Sequence, residues 1–185
     1  MTNRYTKTAI VLHWLIALLI VCNVVMIWFV DILPEHWVRP VIDTHKSIGI
    51  TVLGLGLMRI LWRVSHRPPE LEVKTGKEKL AAHIGHGMLY VLMIFIPLSG
   101  WLHDSAWKAA AEHPMKLFGT IPWPRISYIM NIDPATKEHL HRLFGDIHSL
   151  LAYVLYALFV LHVAGALKHQ FVDKQRQLQR MWFGQ

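Results

Sequence analysis

Apolar and polar positions along the chain sort into four long apolar blocks separated by three polar connections. The blocks run over about 8–30, 41–62, 81–102 and 147–167. Each is close to the length that crosses about 30 Å of hydrocarbon at 1.5 Å per residue. They predict an all-α fold: one integral-membrane four-helix bundle domain spanning 1–185. The first connection, DILPEHWVRP, holds Pro34 and Pro40, which are expected to keep it out of a helix. The second, 63–79, is polar and carries Pro68 and Pro69. The third, 103–146, is long and proline-rich, and a connection of that length is expected to be functional or to carry small elements of its own. Its KEHLHRLFGD end is expected to begin the fourth helix before the membrane. Pro97 and Gly100 predict a kink or an end in the third span.

The fourth block shows the first chemical anomaly. Its only histidine, acidic or basic side chains are His148 and His162. They are 14 residues apart, close to four helical turns, so both leave nearly the same face about 21 Å apart along the axis. An ionisable side chain inside a span is costly and marks a functional site by default.

Composition supports the membrane reading. Hydrophobic residues make up 54% of the 185, and mean hydropathy is +0.33, more apolar than a soluble domain of this size. The formal net charge of +7 flanks the apolar blocks, which points to membrane orientation and not to nucleic acid. Arg4, Lys7, Arg59, Arg63, Arg67, Lys74, Lys77, Lys79, Lys168, Lys174, Arg176 and Arg180 fall on one side. Arg39, Lys46, Lys108, Lys116, Arg125, Lys137 and Arg142 fall on the other. This imbalance places both termini in the cytoplasm, and the third connection becomes a long periplasmic loop. The basic start MTNRYTKTAIVLHWLIALL continues too far for a signal-peptide core and is expected to be a retained span. Cys22, the single cysteine, excludes an internal disulfide and a cysteine-built metal site, and is expected to be a packing residue.

With that orientation the histidines fall into two layers. The inner layer, on the cytoplasmic side, holds His13, His162 and one or both of His83 and His86. The outer layer holds His45 and His148. Haem needs two axial ligands on opposite faces of a flat ring, and facing helices of a bundle supply them. Zinc is the rival for clustered histidines, but the span centres carry no Asp, Glu or Cys to complete a tetrahedral site. The same lack removes the carboxylate relay of a proton-coupled transporter. His36, His103, His113, His139 and His141, in or beside outer loops, are expected to be mostly solvated or interfacial, as are His66 and His169.

The segments RYTKTAIVLHWLIALL, DTHKSIGI with LMRILWR, LAAHIGHGMLYVLMIFIPLSGW and LFVLHVAGALKHQF together resemble the prokaryotic cytochrome b561 family, over all four spans. The resemblance implies a multi-pass protein of the bacterial inner membrane with two non-covalent b-type haems and ubiquinone as a redox partner. Carried over, it pairs His13 with His162 around the inner haem and His45 with His148 around the outer one. It leaves His83 and His86 as neighbours or as one replacement ligand, with Arg59 beside them. Some members of the family oxidise superoxide at the periplasmic face. Here Lys46, Arg39, Arg125 and Arg142 are candidates to steer that anion, or equally to hold haem carboxylates or solvate the loop. The alternative function is a membrane-anchor subunit taking electrons from a separate dehydrogenase or hydrogenase. Quinone-site candidates are Arg59 and His86 on the inner side, or the loop around Trp123 and Tyr128.

Overall fold

The computed structural model describes residues 4–66, 68–69 and 75–182; Arg67 and Lys74, counted among the inner cations, lie outside the described residues. Four long helices dominate: α1 (Lys7–Trp28), α2 (Glu35–Ser65), α3 (Gly76–Ser105) and, after the third connection, α5 (Pro134–Leu167). All four are long and apolar enough to cross a membrane. The third connection carries a two-stranded antiparallel hairpin, β1 (Lys116–Leu117) with β2 (Ile121–Pro122), and a single-turn helix α4 (Ser127–Met130). A π-helical turn (Lys168–Val172) follows α5, and a short α6 (Gln177–Arg180) closes the described chain.

Three of the four long helices start on side-chain caps, each worth about 1 kcal/mol. The Thr6 hydroxyl accepts from the Ala9 N–H at 3.3 Å, and Thr75 accepts from the Glu78 N–H at 3.2 Å. The Asp133 carboxylate accepts from the Thr136 N–H at 2.9 Å, with Pro134 opening α5 where its missing N–H costs nothing. As the sequence led us to expect, α5 begins well before its apolar block.

Two prolines behave differently from expectation. Pro40 lies inside α2, which Pro34 caps. It removes only the bond to the His36 carbonyl, in a polar stretch near the helix start where water can replace it. Pro97 lies inside α3 and does not end it, since the helix runs on to Ser105. The packing of α3 on α2 and α5 holds the turn.

Neighbouring helices pack in order: α1 on α2, α2 on α3, α3 on α5. Among the described residues, α1 and α5 meet through ring contacts, Trp28 with Tyr156 and His13 with His162, and lack the close backbone packing of the other neighbours. Ile16, Ile48 and Val52, with Leu19, Ile20, Leu55 and Met93 around them, form the main core. Large apolar residues elsewhere face outward, among them Leu18, Leu61, Phe95, Leu150 and Val160, as a bilayer requires. Cys22 is also exposed and does not serve packing.

Both chain ends meet at one end of the bundle. Tyr5 N–H donates to the Arg180 carbonyl, Arg4 Nη2 to Gln179, and Trp14 Nε1 to Met181 at 2.6 Å. Lys168 bridges Glu78 at 3.1 Å and Asp173 at 2.8 Å, tying the end of α5 to the start of α3.

Candidate functional site

Two histidine pairs lie at different depths in the bundle. At the loop end, His45 of α2 faces His148 of α5, ring centres 6.1 Å apart and planes at 80°. At the end that gathers the termini, His13 of α1 faces His162 of α5, again 6.1 Å apart, with planes at 76°. Two imidazoles joined through one metal at about 2.0 Å from each nitrogen hold their ring centres about 6 Å apart. Each pair therefore has the spacing of a bis-histidine axial site.

The protein also orients the ligands. His148 Nδ1 donates to the Ile96 carbonyl at 3.0 Å and lies 3.2 Å from Ser99 Oγ, which itself donates to Ile96 at 2.8 Å. A proton held at Nδ1 leaves the Nε2 lone pair for iron. Gly100 lets this ring pack closely, because a Cβ there would stand 3.1 Å from His148 Cε1 and would have to displace it by a few tenths of an ångström.

The wall beside each pair is bare. Gly49, one turn from His45 on the same face, has nothing within 4 Å of where a Cβ would stand, and the same is true of Gly165, close after His162. Matched imidazole pairs with open backbone beside them at each layer, and a fixed tautomer at His148, fit flat macrocycles. Among the described residues, no three His, Cys, Asp or Glu side chains converge as a tetrahedral metal site needs.

The inner layer has a third imidazole. His86 of α3 lies 5.6 Å from His162, ring centre to ring centre. Arg59 of α2 donates to the Ala9 carbonyl at 3.0 Å, and its guanidinium lies 5.9 Å from the Tyr90 ring centre. His83 stands apart from this group. It is exposed, and its Nδ1 donates to the Lys79 carbonyl of its own helix at 2.7 Å. The structure thus brings His13, His86 and His162 together and leaves His83 on the outside.

Each of the four loop-end cations meets a carboxylate. Lys46 Nζ reaches Asp104 at 2.7 Å and Asp43 at 3.2 Å. Arg125, 3% exposed, binds the same Asp104 at 2.7 Å and donates to the Ala110 and His113 carbonyls. Arg39 pairs with Asp43 and lies over the Trp107 ring, and Arg142 approaches Glu138 at 3.6 Å. The shared carboxylate of Asp104 joins α2, the end of α3 and the loop in one buried network. Trp123 packs with Met115 and Leu117 against α2, whereas Tyr128 is exposed.

Two further histidines, from the set expected to be mostly solvated or interfacial, meet each other between helices. His103 of α3 and His141 of α5 stack at 4.0 Å, and each Nδ1 donates to the other residue's carbonyl, at 2.8 and 3.0 Å. Gly145 makes room for His103, whose Cε1 would lie 3.0 Å from an added Cβ. This clasp fixes α3 against α5 directly above His148. In sequence His103 lies one turn from Gly100 and His141 two turns from His148, but their meeting depends on how α3 sits against α5.

Comparison with known proteins gives a concordant result. A family model described as prokaryotic cytochrome b561 matches residues 4–184. Cytochrome b561 homolog 2 of Escherichia coli is 32% identical, over 97% of this chain and 91% of its own. The probable superoxide oxidase CybB of Yersinia pestis is 29% identical, over 98% and 97%. Cytochrome b561 homolog 1 of E. coli is 24% identical, over 97% of both chains.

Proposed function

The chain belongs to the prokaryotic cytochrome b561 family, and from that membership we propose that it carries electrons through two b-type haems between superoxide on the periplasmic side and ubiquinone. Membrane electron transfer with b-type haem is common ground for the family. The haem count, the donor and the acceptor are our reading. The observation that carries it is the repeated 6.1 Å histidine pair, once near each end of the bundle.

Haem supplies reversible one-electron storage on iron, and the protein sets the ligands and their surroundings. In this reading His13 and His162 hold the inner haem, and His45 and His148 the outer. Ile96 and Ser99 keep His148 in its binding tautomer. Arg59 balances haem carboxylate charge in the inner layer, and His86 is a neighbour of that site. Were both imidazoles of each pair to hold a haem, a donor would exchange electrons with it without binding iron. The overall reaction takes one electron from each of two superoxide anions, releasing two O2. The quinone gains both electrons and two protons to become quinol.

Superoxide as donor draws support from the relative named a probable superoxide oxidase. Charge steering contributes little here. Arg39, Lys46, Arg125 and Arg142 are all paired; Lys46 and Arg125 through Asp104, and Arg39 over Trp107, hold the loop over the outer pair in this reading. The inner membrane, with the termini in the cytoplasm, is the location this reading requires. The test is a superoxide burst delivered to purified, haem-loaded protein with ubiquinone present. Haem reduction followed by quinol formation supports the proposal. An unreduced spectrum refutes superoxide as donor, and co-purification of a larger redox subunit would then identify the donor instead.

A further inference from the structure

The hairpin of the third connection is built against the flank of α2. Met115 and Leu117 point inward and pack on Ile50 with Trp101 and Trp123, while Lys116, Phe118 and Ile121 point outward. The tip turns through two successive left-handed residues, Phe118 at φ +49° and Gly119 at φ +73°. Glycine takes that conformation readily, whereas phenylalanine seldom does. Phe118 is held there by its N–H, which donates at 2.9 Å to Ser47 Oγ. Ser47 is fully buried, and its hydroxyl donates in turn to the Asp43 carbonyl.

The depth of that anchor is informative. Ser47 is two residues further into the bundle than His45 and opens the stretch 47–58 of α2, which carries no charged side chain. Ile50, under Leu117, is deeper still. The hairpin therefore sits level with the part of α2 that has already entered the apolar layer. It lies on the face turned away from His45, two residues being about half a helical turn. Phe118 and Ile121 are 56% and 58% exposed there, continuous with the outward apolar surface of the spans.

We propose that this hairpin is a membrane anchor: Phe118 and Ile121 insert among the lipids of the leaflet at the loop end, and Lys116 extends to their phosphates. Aromatic side chains at the lipid–water boundary and a lysine whose stem lies in apolar surroundings are the usual chemistry of such a contact. An unfavourable turn is kept because it directs a phenylalanine into lipid. The loop is thereby fixed twice, to the bundle through Asp104 and to the bilayer through its tip. This inference rests on the membrane fold and is independent of haem number and donor.

The experiment places a nitroxide at Phe118→Cys, and separately at Ile121→Cys, in a Cys22→Ser background. Glu112→Cys, on the exposed part of the same loop, is the control. Each protein is reconstituted alone into phosphatidylethanolamine–phosphatidylglycerol vesicles, and helical circular dichroism confirms its fold. Collision rates with O2 and with a water-soluble nickel chelate are then compared. The proposal predicts that both tip labels favour O2 over the chelate several-fold more than the label at 112. Equal ratios at all three sites would overturn it, as would chelate access at the tip, which is the result expected if the hairpin docks a partner protein.

Discussion

Replacing Asp104 with alanine removes the carboxylate shared by Lys46 and Arg125. Lys46 keeps Asp43 at 3.2 Å, so its charge stays compensated. Arg125, 3% exposed, loses its carboxylate and retains only carbonyl partners. Removing one member of a buried ion pair costs about 3–5 kcal/mol. Because the network joins the loop to α2 and α3, the cost falls on loop opening and not on the spans. At 1.4 kcal/mol per factor of ten, the lower figure is about a hundredfold in the opening equilibrium. Hydrogen exchange by mass spectrometry reads this through the amides of Phe118, Trp123 and Ile126, bonded to Ser47, Met115 and Ser105. Their protection should fall about a hundredfold or more, while α1 and α5 remain unchanged. The apolar triple variant Lys46→Met, Asp104→Leu, Arg125→Met should recover much of it, since no charge is left unpaired. Protection in Asp104→Ala equal to that in Glu112→Ala would refute the reasoning.

Other consequences concern the two layers separately. Gly100→Ala should push the His148 ring, 3.1 Å from the new Cβ, and shift the midpoint potential of the outer haem alone in a redox titration. His86→Ala should leave two haems bound, and His13→Ala should lose the inner one, as read by haem content per chain. The Thr136 N–H beside Asp133 holds that carboxyl below its ordinary 3.8. The cap is therefore fully present above that value and weakens as pH falls through the lowered one. Protection in the first turn of α5, taken relative to the intrinsic exchange rate at each pH, should fall with acid in the wild type and stay constant in Asp133→Asn. Because Arg39, Lys46, Arg125 and Arg142 each face a carboxylate, Arg142→Gln should change the rate of haem reduction by superoxide little, as stopped-flow absorbance can measure.

The four spans and the two layers were legible because hydrophobic block length and the spacing of 14 between His148 and His162 are local signals. Caps at Thr6, Thr75 and Asp133 moved helix starts beyond the apolar blocks, which hydropathy does not mark. Both α2 and α3 continue past Pro40 and Pro97, which residue type alone does not foretell. The Asp104 network could not be read in advance, because its three members are far apart in sequence and share no period. The same is true of the His103–His141 clasp, which needs the register of α3 against α5. Spacing also could not distinguish the two histidines of α3, of which His86 lies beside His162 and His83 does not.

The central claim is one haem per histidine pair. Haem content by pyridine haemochrome, set against protein concentration, tests it most directly in the wild type and in His148→Ala and His162→Ala. The account predicts two haems per chain, and one in each variant, the two single-haem forms differing in reduced spectrum or potential. A wild type with one haem, or a substitution that leaves both in place, would contradict it.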